Sequence, residues 1–170
     1  MTDGDGDGGR DGAVALPAPE DRRTAYALVT LQMVLLAALV LLPRGELWAP
    51  GPVLLTAAAV GALAGTGLVL VGGTALGRGL TPVPLPNAHT VLRTGGLYRW
   101  VRHPIYTGVL LVATSVTLAA GDPWRLVVLG LLVALLTVKA RWEEARLAER
   151  FPDYPAYAAT TGRFVPRIPR

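Results

Sequence analysis

Apolar residues gather into four blocks separated by short polar breaks: Ala25 to Leu42, Val53 to Gly72, Ile105 to Ala120 and Trp124 to Val138. A helix needs about 20 residues to cross a bilayer, within a range of about 17 to 25, and the first two blocks meet that length. The last two are shorter and are separated only by "GDP" at Gly121 to Pro123, which predicts a tight helical hairpin. Beyond Val138 the stretch "KARWEEARLAERF" contains good helix formers and no breaker before Pro152, so the last helix is predicted to continue to about residue 150. The expected fold is all-α: an integral membrane bundle of about four transmembrane helices that ends in the hairpin.

The chain ahead of the first block, "MTDGDGDGGRDG" and its continuation to residue 24, has almost nothing to bury and is expected to be a disordered cytosolic tail. Asp3, Asp5, Asp7, Gly8 and Asp11 fall at positions 1, 3, 5, 6 and 9 of a calcium loop. Val14 stands where that loop needs a bidentate glutamate, and no flanking helices are visible, so calcium binding is not expected. The first apolar block lies too far in, and lacks a cleavage-like site, for a secretory signal. Residues 25–170 read as one membrane domain with no internal repeat.

Composition agrees with a membrane class. Of the 170 residues, 52% are apolar, and the mean hydropathy of +0.44 is positive, which is unusual for a soluble chain. The absence of cysteine excludes disulfides, thiolate ligands and a nucleophilic thiol, and two histidines make a poor metal site. Among the 16 basic residues only Lys139 is not arginine. Their distribution is three in the tail, one at Arg44, four between Thr74 and Pro104, one at Arg125 and seven from Lys139 onward. By the positive-inside rule this alternation predicts both termini, the central loop and the C-terminal segment on the cytosolic side of a plasma (inner) membrane. No nucleic-acid motif is present. In the second block "GALAG", Gly61 to Gly65, forms a small-xxx-small face suited to close helix packing within the chain or to a homodimer.

The densest chemistry lies in "LYRWVRHPIYTG", Leu97 to Gly108. Proline is favoured at the first helical position, so Pro104 predicts a helix start with His103 at or beside the N-cap. Unpaired N–H groups of the first turn then form an anion-binding end, beside the charge and donor fork of Arg102 and the aromatic faces of Tyr98 and Tyr106. An interfacial belt of Arg, Tyr and Trp has the same composition, and the residues alone leave both readings open. In "KARWEEARLAERF", Lys139 and Glu143 share one helical face while Glu143 and Glu144 diverge by about 100°. A carboxylate there suits ribose hydroxyls or an amine, and Lys139 suits an anionic group; a solvated Lys–Glu pair is the plain alternative. "FPDYPAYAATTGRFVPRIPR" reads as a lid or an interfacial segment, with Phe151, Tyr154, Tyr157 and Phe164 available to cover apolar surface.

Residues 78 to 170, through "TPVPLPNAHTVLRTGGLYRWVRHPIYTG" and then "EEARLAERFPDYPAY" after a short hairpin, resemble the membrane-embedded methyltransferases typified by isoprenylcysteine carboxyl methyltransferase. The phospholipid N-methyltransferases are relatives of that family. The resemblance implies a cytosol-facing site for S-adenosylmethionine. It maps cofactor contacts onto Thr90, Val91, Leu92, Arg93, Tyr98, His103, Pro104, Ile105 and Tyr106, and onto the paired acids Glu143 and Glu144, with Glu143 at the position of the family's cofactor glutamate. Arg102 and Lys139 are the candidate catalytic residues. Lys139 stands where eukaryotic members carry an arginine near the substrate, which keeps the charge and loses a bidentate grip. The implied acceptor is lipophilic, an isoprenoid-like carboxylate or thiol, entering from the surrounding lipid. Two other readings are an NADPH-dependent sterol or enone reductase and a non-catalytic membrane scaffold. The reductase pattern has Asn after the proline and an Arg, Asp, Glu run, where this chain has Ile105 and "WEE".

Overall fold

A computed structural model of the chain describes residues 19–79 and 91–167. Among these residues five α-helices follow one another: α1 (Pro19–Leu41), α2 (Pro52–Leu76), α3 (Pro104–Ala120), α4 (Pro123–Arg150) and the short α5 (Tyr154–Thr160). The described residues between α2 and α3 include the 3₁₀ turns Gly77–Gly79 and Gly96–Arg99. Among the described residues no strand forms, and one isolated parallel bridge pairs Val101 with Gly162. The expected all-α membrane bundle is the observed architecture. The calcium-loop residues lie outside the described part of the chain.

Prolines and caps set most of the helix starts. Pro52, Pro104 and Pro123 each open a helix, where their fixed φ fits and their missing N–H would have had no partner. Asp122 caps α4 by accepting from the Arg125 backbone N–H at 3.1 Å. Gly121 ends α3 in the left-handed region at φ 66°, and a Cβ there would meet the Trp48 carbonyl oxygen at 2.3 Å. The turn between α3 and α4 therefore requires glycine.

α1 corrects one expected boundary. It begins at Pro19, so residues 19–24 are helix and do not belong to the tail. Glu20 and Asp21 lie in its first turn, where acidic groups complement the positive helix end. Arg146 of α4 also pairs with Asp21, which ties this turn to the rest of the bundle.

Glu20–Leu41, Pro52–Leu76 and Pro123–Arg150 are each long and apolar enough to cross a membrane. Of the four expected spans, α3 is the short one at 17 residues, the lower limit of the crossing range. It is also the central helix, packed against α2 on one side and α4 and α1 on the other. α2 buries only 11% of its most apolar stretch, and Val53, Leu63 and Leu70 point outward, an arrangement suited to hydrocarbon.

The "GALAG" face is used inside the chain. A Cβ on Gly65 would come within 2.7 Å of the Gly108 carbonyl oxygen, and one on Gly108 within 2.5 Å of the Gly65 carbonyl oxygen, so the α2 and α3 backbones touch. A second contact region joins Leu35 and Leu39 of α1, Ala113 of α3 and Leu132, Leu135 and Leu136 of α4. Tyr106 and Phe164 pack against this cluster, so the apolar core ends where the polar residues of α3 and α4 begin.

Candidate active site at one end of the bundle

The chain ahead of α3 is held by backbone contacts to the segment after α5. Tyr98, buried in the second 3₁₀ turn, donates its hydroxyl to the Gly72 carbonyl at 3.2 Å, and Tyr157 donates to the Tyr98 carbonyl at 2.5 Å. The backbone N–H of Arg102 donates to Gly162 at 2.8 Å and that of His103 to Arg163 at 3.1 Å. The Thr107 hydroxyl reaches the Phe164 carbonyl at 2.8 Å. Residues 161–164 thus form a strap across the start of α3.

Under the strap, Glu144 gathers three basic side chains. Its Oε1 accepts from Arg102 Nε, His103 Nε2 and Arg163 Nε, each at 3.0 Å, and its Oε2 accepts from Arg163 Nη2 at 2.7 Å. Arg102 Nη1 also donates to the carbonyls of Ala158, at 2.8 Å, and Thr161. These bonds tie α3, the polar extension of α4, α5 and the strap into one knot. Burial opposes the charge on Glu144, but hydrogen bonds from His103, Arg163 and Arg102 outweigh it and hold the carboxyl well below its usual range. The same pairing raises Arg163. Burial pushes the Tyr157 hydroxyl up to about 12 and, with help from Glu143, raises Tyr98 as well.

Glu143 points elsewhere. Its Oε2 accepts from the Tyr106 hydroxyl at 3.0 Å and lies 3.8 Å from His103 Nδ1. Its Oε1 has no partner among the described residues. The His103 and Tyr106 rings are stacked, 5.2 Å between centroids and 2° apart in plane, and Phe164 meets both edge-on. Lys139 lies one turn earlier on α4, 96% buried, with Nζ donating to Gln32 Oε1 of α1 at 2.7 Å and standing 5.1 Å from the Tyr106 ring centre. It makes no ion pair among the described residues.

His103, Tyr106, Glu143, Glu144, Arg102 and Lys139 are therefore brought together, with Tyr98 of the second 3₁₀ turn at the edge, bonded to Gly72 of α2. Thr90 lies outside the described residues. Val91 and Arg93 are exposed and Leu92 half-buried on the approach to the 3₁₀ turn. Arg93 acts electrostatically on Tyr98. Pro104 and Ile105 lean against Gly72 of α2 and away from the polar cluster, at 3.4 and 3.0 Å from the position a Gly72 Cβ would take. Among the described residues no group of His, Asp and Glu side chains is arranged to hold a metal.

Two partners escaped the sequence reading. Gln32 is the lone amide in the apolar run of α1, and an isolated polar residue at membrane depth is a usable signal. Arg163 had no comparable signal, because its role depends on how the strap folds back. Phe164, expected only to cover apolar surface, does so against the two stacked rings.

Residues 7–167 match the family described as NnrU protein. The chain belongs to the NnrU protein family. The match covers all five helices, the strap and the cluster around Glu144, so each site residue of this NnrU-family chain falls inside the matched region. No curated protein matches the chain.

Proposed function

We propose that this NnrU-family chain is an integral membrane methyltransferase that uses S-adenosylmethionine to methylate a lipophilic acceptor at the cytosolic face. One observation carries the reading: Glu143 presents a carboxylate oxygen with no partner among the described residues beside the stacked His103 and Tyr106 rings, at the N-terminal end of α3. The chemistry of that donor set fits the cofactor. Glu143 is an acceptor for ribose hydroxyls or an ammonium group, and the α3 terminus, whose N-cap His103 makes no side-chain capping bond, offers positive backbone dipoles to a carboxylate. S-adenosylmethionine, when bound, supplies the activated methyl group and a neutral leaving group.

The chain's residues then have to bind, align and exclude water, and no nucleophile is required of them. Tyr106 orients Glu143 through its hydroxyl. Glu144 aims His103 and anchors the strap, with Arg102 and Arg163 as the clasp. We assign Arg102 as a positioning residue, since its Nε and Nη1 are engaged by Glu144 and two carbonyls. Phe164 shields the rings from water. The resemblance of "RHPIY" and the paired acids to the isoprenylcysteine methyltransferases supports the same assignment, and the arginine-rich central loop and C-terminal segment support a cytosolic position for this end.

Binding of S-adenosylmethionine and of NADPH to the detergent-purified protein, each by calorimetry, tests the reading. Saturable binding of the former, displaced by S-adenosylhomocysteine, is expected. NADPH binding alone, or binding of neither by folded protein, overturns it.

A further inference from the structure

The second 3₁₀ turn ends on two exposed side chains. Arg99 stacks on Trp100, its guanidinium carbon 4.9 Å from the ring centre, and Trp100 is 55% exposed. Arg99 makes no ion pair among the described residues, so its donor fork faces outward without an acid. Arg93, on the same connection, is exposed, lacks an acidic partner in the same way and lies close enough to act on Tyr98. No Asp or Glu stands between Glu46 and Asp122 to offset these charges locally. Arg102, three residues on, differs because Glu144 and two carbonyls engage it.

Depth narrows the partner. Tyr98, next to Arg99, donates to Gly72 in the last turns of α2, and Leu70 and Val71 are the last large apolar side chains of that helix to point outward. The Arg99–Trp100 pair therefore stands where hydrocarbon gives way to headgroups. An indole suits that level, since its ring is apolar and its N–H polar. A guanidinium suits phosphate, whose oxygens it meets two at a time. A zwitterionic headgroup would bring its own cation against Arg93 and Arg99, whereas an anionic one does not. We propose that Arg99 and Trp100, reinforced by the charge of Arg93, form a seat for the phosphate of an anionic phospholipid in the leaflet at this end of the bundle. A headgroup held there braces the turn that carries Tyr98 and leads into α3. The seat stands independently of the methyltransferase reading.

The test uses the full chain in a neutral detergent, titrated with phosphatidylglycerol or with phosphatidylcholine of the same acyl chains, with bound lipid read by native mass spectrometry. Phosphatidylglycerol is expected to bind about tenfold or more tighter. Arg99→Gln should weaken it about fivefold, the contribution of one basic residue at a lipid surface, with an unchanged melting curve because the side chain is exposed. Arg22→Gln is the control: this arginine of α1 is exposed at the same end of the bundle, and its loss should change the affinity by less than about twofold. Equal affinity for the two lipids overturns the proposal. Equal losses in Arg22→Gln and Arg99→Gln also overturn it, by making the attraction diffuse. Glycerol phosphate supplies the last arm: it should fail to displace phosphatidylglycerol at matched concentration, and displacement would make this a small-anion site instead of a lipid seat.

Discussion

Arg163 of the strap and Glu144 of α4 meet fork to fork, Nε to Oε1 at 3.0 Å and Nη2 to Oε2 at 2.7 Å. Because Arg102 and His103 share the same carboxylate, removing its charge leaves three donors facing a weaker acceptor. Glu144→Gln should lower stability by about 2–4 kcal/mol, the range for breaking a largely buried, hydrogen-bonded ion cluster. Thermal unfolding in detergent reads the loss, and limited proteolysis should show new cleavage beyond residue 150. A melt within experimental error of the unaltered protein counts against Glu144 as the hub.

Acid should act through the same group. The folded-state carboxyl sits far below its ordinary value near 4.5, so its contribution is fully present above that value and is lost as pH falls. Stability should hold between about pH 6 and 8 and drop progressively below about pH 4.5. In Glu144→Gln that acid limb should flatten, and melting temperatures of both proteins across this range check it.

Cofactor affinity should respond to Tyr106 and Glu143 with little change in folding. Glu143→Gln and Tyr106→Phe are each expected to raise the Kd for S-adenosylmethionine about tenfold, equivalent to about 1.4 kcal/mol. Calorimetric titration with a melting curve of each variant is the measurement. Unchanged affinity in both moves the cofactor away from Glu143.

The close approach of α2 and α3 makes two glycines of one helix behave oppositely. Gly65→Ala drives a methyl group into the Gly108 carbonyl and should cost about 1–3 kcal/mol by overpacking. Gly67→Ala, with open space around it, should be neutral or slightly stabilising, by up to about 1 kcal/mol, because alanine is the better helix former. Comparing the two melts tests whether this seam is the one the protein uses.

Much of the fold was legible because each apolar block carries its own punctuation. Pro52, Pro104 and Pro123 stand at helix starts, and the hairpin glycine Gly121 stands between two blocks. The start of α1 was not, since "PEDRRT" looks like tail until Asp21 finds Arg146, a partner 125 residues away. The site was half legible. Helical geometry showed that Glu143 and Glu144 must face different ways, but which one takes the arginines depends on Arg163, 19 residues later and beyond two changes of direction. Lys139 was visible as a candidate, whereas its partner Gln32 lies 107 residues earlier and is joined to it only by tertiary packing. Local pattern carries helix identity; pairings across the bundle are settled by which helices become neighbours.

The strap also sets an order of assembly. The ribosome delivers Arg102 and His103 first, Glu144 more than forty positions later, and Arg163 and Phe164 only after α5. Helices α1 to α4 are all made before the residues that clasp them. The site is therefore complete only once the segment beyond α5 has folded back across the start of α3.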